Sequence, residues 1–239
     1  RNLIKNGSFE EGSAGGVGAG WAAFNNGGHS QYAFAIDSWK PVLWDGKCSQ
    51  LIVIKGGGLE TDRYAGIQQT VEVVPGTTYR LTIHGVVRSS EGSPTASGYG
   101  YRVQWAIDHT GGADWQRLDP AAWQELNWYE WPLQSPGYID TFSTDVKATS
   151  NKLTLFVRAW KKWKTVDSEG DFNLDAISLV GPAPSGQSQQ GSQLPASGAG
   201  LILPGAGALL GVALAARGGR ALPARRRARA LDRSARRRV

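Results

Sequence analysis

Gly66-Ile67-Gln68-Gln69-Thr70-Val71-Glu72-Val73-Val74-Pro75-Gly76-Thr77-Thr78-Tyr79-Arg80-Leu81-Thr82-Ile83-His84-Gly85-Val86-Val87 is the stretch whose reading decides the fold. Apolar and polar side chains alternate on either side of Val74-Pro75-Gly76-Thr77, the period of a strand with one buried face. Pro75 sets φ for the first corner of a turn and Gly76 accepts the second, so the chain turns between two strands. Outward from here, runs rich in Val, Ile, Thr and aromatic residues recur at 101–107, 140–148, 152–160 and 172–180, broken by Gly, Pro, Asn and Asp clusters. Short strands at this spacing predict an all-β domain over residues 1–181, a two-sheet sandwich or barrel. One short helix is expected, with Asp119 as N-cap, Pro120 in the first position and residues 121–126 following.

The same alternation assigns faces. Leu153, Leu155, Val157 and Ala159 form a core face, which turns Phe156, Arg158 and Trp160 outward. Tyr79, Leu81 and Ile83 point in, against Arg80, Thr82 and His84; Tyr101, Val103, Trp105 and Ile107 point in, against Arg102, Gln104 and Asp108. If these strands share a sheet, its outer face gathers His84, Arg102, Gln104, Arg158 and Trp160. Planar hydrogen-bonding groups beside an aromatic plate are what a sugar site uses. Of the ten tryptophans, Trp21 and Trp105 read as core, and Trp123, Trp128 and Trp131 as packing for a loop-rich edge. Trp160 and Trp163, flanking Lys161 and Lys162, and Trp39 and Trp44 in a loop beside Lys40 and Asp45, are the binding candidates. The segment from Asp108 to Trp115 reads as an exposed glycine-rich loop.

Three further groups of residues carry a resemblance. They are the opening Asn2-Leu3-Ile4-Lys5-Asn6-Gly7-Ser8-Phe9-Glu10 with Gly12 and Trp21, the middle Gln69-Thr70-Val71 with the 74–79 turn, and the closing Asn173-Leu174-Asp175-Ala176-Ile177-Ser178-Leu179. Together they resemble the carbohydrate-binding modules of the galactose-binding-like jelly-roll group. The resemblance implies a two-sheet jelly-roll sandwich and a glycan or polysaccharide ligand. It also implies a structural calcium held by Glu10 and Asp175, with carbonyls near Gly46 or Lys47 as partners. Oxygen ligands of this kind suit a hard cation that ties the two chain ends together.

The C-terminal region has its own logic. Residues 182–193 are built of Pro, Ser, Gly and Gln with one alanine, Ala183, and read as a disordered linker. Residues 194–198 are the pentad Leu194-Pro195-Ala196-Ser197-Gly198, 198–216 are apolar, and 217–239 hold 10 of the 26 basic residues against one acid, Asp232. As a helix, 198–216 would rise about 28 Å, enough to cross a membrane. These pieces resemble the LPxTG-type cell-wall sorting signal, which implies a sortase-like transpeptidase as partner and cleavage between Ser197 and Gly198. Ser197 stands where that family has Thr; if the pentad is not cut, the span serves as a single anchor.

Charge follows the same division. The tail carries +9 of a net +6, so the body is mildly acidic and lacks the spread of basic groups that nucleic acid demands. The expected location is extracellular, on a bacterial wall or membrane, behind a signal peptide upstream of Arg1. One cysteine, Cys48, excludes an intrachain disulfide. No nucleophile elbow, zinc motif or phosphate loop is present, so the chain reads as a non-catalytic binding module. A structural or adhesive domain contacting proteins is the alternative reading. A glycan hydrolase using Glu125 and Glu130 is the third.

Overall fold

The computed structural model describes residues 1–92, 100–165 and 167–185. Most of the linker, the pentad from Leu194 to Gly198, the apolar span and the arginine tail therefore lie outside the described residues. Among the described residues no helix is long and apolar enough to cross a membrane.

The domain is a β-sandwich of two sheets with a small ribbon, β1 (Ser13–Ala14) and β2 (Val17–Gly18). One sheet has five strands in the order β3 (Ala22–Asn25), β6 (Arg63–Glu72), β12 (Lys152–Lys161), β8 (Tyr101–Asp108) and β9 (Gln124–Leu126). The other has six. Its path runs β10 (Glu130–Pro132), β7 (Thr78–Ser89), β13 (Glu169–Val180), β5 (Ser49–Gly56) and β4 (Ser30–Asp37), with β11 (Asp140–Lys147) sharing the outer edge of β7. The inward residues expected from alternation are buried between the sheets: Leu153, Leu155, Val157 and Ala159 from one side, Tyr79, Leu81 and Ile83 from the other. Trp21 and Trp105 join that core.

The 74–77 turn forms as expected. Thr77 N donates to Val74 O (3.2 Å) and Gly76 adopts φ +77°, the left-handed corner that only glycine takes without strain. It does not make a hairpin, however. β6 and β7 belong to different sheets, so the turn is an arch over the edge of the core.

The resemblance-bearing residues meet each other and explain why those types are used. Asn6 at φ +49° accepts the Glu11 N–H through Oδ1 (2.9 Å) and donates from Nδ2 to Ala19 O (3.0 Å). Trp21 Nε1 donates to Asn6 O (3.1 Å), and its ring packs on buried Phe9 at 5.8 Å. Gly7 has no room for a side chain, because a Cβ would lie 1.9 Å from Ile177 O. Gln69 bonds both the N–H and the C=O of Lys5 (2.8 and 2.9 Å). The first residues thus lie beside the last strand, with Leu3 N donating to Leu179 O (2.9 Å).

The expected helix is shorter than its signal. Asp119 does cap it, its Oδ1 accepting from Ala121 N at 2.9 Å, but only a single 3₁₀ turn, Pro120–Ala122, follows. Residues 124–126 become β9 because pairing with β8 buries Leu126 and completes the edge of the sheet.

Candidate functional site

The outer face of the five-stranded sheet is built by register. Trp160 pairs with Tyr64 on one side and Arg102 on the other; Arg158 pairs with Gly66 and Gln104; Phe156 pairs with Gln68 and Ala106. Side chains at these positions share one surface because paired residues in a sheet point the same way. Arg158 is at its centre. Its Nε donates to Gln104 Oε1 (2.8 Å), and its guanidinium lies between the rings of Tyr64 (3.8 Å) and Trp123 (3.6 Å), with Trp115 at 5.8 Å. Burial, partly opposed by Tyr64 and Asp62, lowers its pKa to about 10.

Trp115 and Trp123 come from the segment that joins β8 to β9 and folds back across the sheet. Trp115 stacks on Phe24 (5.2 Å, 27°), and Phe24 and Trp123 both pack on Phe156. Outward-facing Phe156 is therefore fully buried. The loop from Asp108 is exposed at Thr110, Ala113 and Asp114, as expected, and the cover of this face is carried by Trp115 at its end and by Trp123 beyond it. Gly66 leaves space for it, since a Cβ there would stand 2.4 Å from Phe24 Cζ and 2.8 Å from Arg158 Cβ. Beyond the cover, Trp160 and Tyr64 remain half-buried with near-parallel rings (6.1 Å, 26°). Trp160 Nε1 donates to Asp62 Oδ1 (2.9 Å), and Lys162 Nζ stands 5.1 Å from the ring centre.

The other candidates are placed as follows. Arg102 shares the sheet but is committed: it is ion-paired to Glu125 and donates to Trp128 O (2.7 Å) and Leu126 O (3.1 Å), clamping the 125–128 edge. Trp163 is exposed just past β12. His84 does not join this face. Strand β7 lies in the six-stranded sheet, so the shared-sheet expectation fails for His84, which packs on the far side of the sandwich. There it bonds Thr141 Oγ1 (2.8 Å) under the stacked ring of Trp44 (3.9 Å, 13°), and burial lowers its pKa. Trp39 belongs to the same loop and covers Arg88 at 5.1 Å. Trp39 and Trp44 are therefore on the sheet opposite Trp160. Glu125 and Glu130 share no cleft either. Glu130 is buried and accepts from Ser89 Oγ and Gly100 N, while Glu125 sits at the outer edge with Arg102.

Glu10 and Asp175, 165 positions apart in the chain, close on the same short loop. Glu10 Oε1 accepts from Lys47 N (2.6 Å) and Cys48 N (2.7 Å); Asp175 Oδ2 accepts from Trp44 N (2.7 Å) and Asp45 N (3.0 Å). Asp175 is fully buried, and burial pushes its pKa up to about 6. Neither acid forms an ion pair among the described residues. Two carboxylates without a cationic partner, meeting at one loop, fit part of a hard-cation donor set. The groups that the loop turns to them are N–H donors, and no cluster of three or more His, Cys, Asp or Glu is found among the described residues.

Tyr64, Trp115 and Trp123 are the residues of this face that alternation missed as binding candidates. Tyr64 was legible, since extending the 66–73 strand by two residues at the same period places it beside Trp160. The two loop tryptophans carry no periodic signal.

No family model matches the chain, and no curated protein matches it in sequence. Among solved structures the chain is similar to a family 61 carbohydrate-binding module in complex with β-1,4-galactotriose, at 14% identity over 75% of this chain and 98% of that one, with a TM-score of 0.43. It is similar to the K3 cleaved adhesin domain of Lys-gingipain from Porphyromonas gingivalis W83, at 12% identity over 75% and 99%, with a TM-score of 0.46. It is also similar to the enzymatically active domain of bacteriophage CBA120 tailspike protein 4, at 12% identity over 74% and 21%, with a TM-score of 0.45. At these scores none of the three bears on what this chain binds.

Proposed function

We propose that the 1–181 domain is a non-catalytic surface module that binds glycans on the exposed end of the five-stranded sheet. The observation that carries this reading is the half-buried Tyr64–Trp160 pair, two near-parallel plates edged by Asp62, Lys162 and Arg158. An aromatic plate takes the apolar face of a sugar ring, and the hydrogen-bonding groups at its edge take the hydroxyls. The covering loop makes this a rim site rather than an open groove. The same reading keeps an extracellular location, a sortase-like transpeptidase acting at Ser197, and a calcium at Glu10 and Asp175, where it would join the first turn to the last strand. Retention of the full chain on a panel of insoluble and arrayed polysaccharides tests the proposal. Trp160→Ala is expected to weaken retention about 10- to 100-fold, as loss of an aromatic anchor does; wild-type chain retained by no glycan would refute it.

A specific observation favours the adhesive alternative. Four exposed aromatic residues gather about the six-stranded sheet: Trp39 over Arg88, Trp44 over His84, and Tyr129 and Tyr138 against Trp131, which pairs with Arg88. Exposed aromatic groups of this size mark contact surfaces. Loss of a protein contact in Trp44→Ala with glycan retention unchanged would assign that surface separately.

A further inference from the structure

Arg158 has more donors than the protein uses. Of its five N–H groups only Nε has a hydrogen-bond acceptor among the described residues, Gln104 Oε1. The side chain is more than nine-tenths buried, yet neither terminal nitrogen is among the buried atoms that lack a partner, so their free edge reaches the surface. One carboxylate acts on its charge: Asp62, which also takes the Trp160 N–H, offsets the burial in part, while Glu125 is paired with Arg102, and Glu60 accepts from His29 and stands 3.9 Å from Arg63. A guanidinium kept from water with its charge only partly offset and its terminal donors unspent is costly unless a partner supplies the rest.

The rings on its two faces decide the shape of that partner. With Tyr64 and Trp123 against the flat faces, only the in-plane edge carrying both terminal nitrogens is open. A planar fork presented edge-on matches a planar carboxylate through two parallel hydrogen bonds, and matches a lone hydroxyl poorly. Resting on the glycan reading above, we infer that the ligand is an acidic polysaccharide whose uronic-acid carboxylate pairs with Arg158 while its ring lies against Tyr64 and Trp160. The site selects carboxylated over neutral sugars because only the former bring a charge that answers both terminal nitrogens of the fork.

The test uses the full chain on immobilised polygalacturonate and alginate, on carboxyl-reduced polygalacturonate, on a neutral galactan and on a sulfated galactan. Retention by a uronate polymer is expected, with a fall of at least about tenfold on carboxyl reduction. Arg158→Met is expected to lower uronate binding about 10- to 100-fold. Carboxyl reduction alters the ligand alone, so that arm stands even if the variant folds poorly. Equal retention by neutral and uronate polymers would overturn the inference and leave glycan binding intact. Preference for the sulfated polymer would overturn the carboxylate assignment. Retention by none would overturn both readings together.

Discussion

Replacing Arg158 separates what its charge does for binding from what its bulk does for the fold. On folding, burial lowers its pKa from the ordinary guanidinium range to about 10. A shift of that size opposes folding by about 3 kcal/mol while the group is charged in both states. The penalty is present at neutral pH and is relieved as pH rises through 10 towards the ordinary guanidinium range, because the unfolded chain then holds the proton that the folded one has lost. Contacts with the Tyr64 and Trp123 rings offset it, at about 1–2 kcal/mol each for a desolvated pair. The two terms nearly cancel, so the charge adds little net stability. Arg158→Met keeps a long apolar stem between the rings, removes the penalty and adds sulfur–aromatic contact. We expect its stability to lie within about 1 kcal/mol of wild type, a Tm change of at most about 4 °C. Arg158→Ala leaves a gap between the two rings and should cost about 2–4 kcal/mol. Denaturant melts of the three proteins at neutral pH provide the measurement. If the methionine variant falls as far as the alanine variant, the charge itself supports the fold, and the claim that Arg158 is free to serve a ligand fails.

Gly66→Ala should destabilise by about 1–3 kcal/mol and loosen the aromatic cover, because its Cβ would meet Phe24 Cζ at 2.4 Å and the immovable Val157 O at 2.5 Å; an unchanged melt and unchanged near-UV circular dichroism would contradict this. Burial raises the carboxyl pKa of both Asp171 and Asp175 to about 6. Their ionisation therefore opposes folding at neutral pH, and that opposition is removed as pH falls through 6 towards the ordinary carboxylate range. In chelator, Tm should rise between pH 7 and pH 5, and Asp171→Asn should reduce the rise; a fall in wild type over that window would show the sign to be wrong. Chelation at pH 7 should lower Tm if calcium joins Glu10 to Asp175, and a melt indifferent to chelator and to added calcium would remove that assignment.

The strands and their inward faces were legible because alternation is a local property. A residue such as Leu155 or Tyr79 needs only its own neighbours two positions away to declare which side is buried. The Asn6–Glu10 opening and the Asp175 strand could be associated only through the family resemblance, because the demand that selects Gly7 comes from Ile177 O at the far end of the domain. The short helix after Asp119 failed because its capping signal was also local, whereas the pairing that made β9 came from a strand about twenty residues earlier in the chain.

The binding face was only half legible, and His84 shows why. Alternation says which side of its own strand a residue occupies, but not which sheet the strand joins. The turn at Pro75-Gly76 has the chemistry of a hairpin and serves as an arch between layers, which sends His84 to one surface of the sandwich and Arg158 to the other. Trp115 and Trp123 lie still further from local reasoning, since a loop has no period and its destination is chosen by the ring faces it meets. The sequence by itself determined an all-β domain over residues 1–181, its core residues, and an outward Arg158 and Trp160. Tertiary structure alone decided that Arg158 lies between Tyr64 and Trp123 with its terminal donors unspent, because sheet membership and loop packing depend on contacts between residues far apart in the chain.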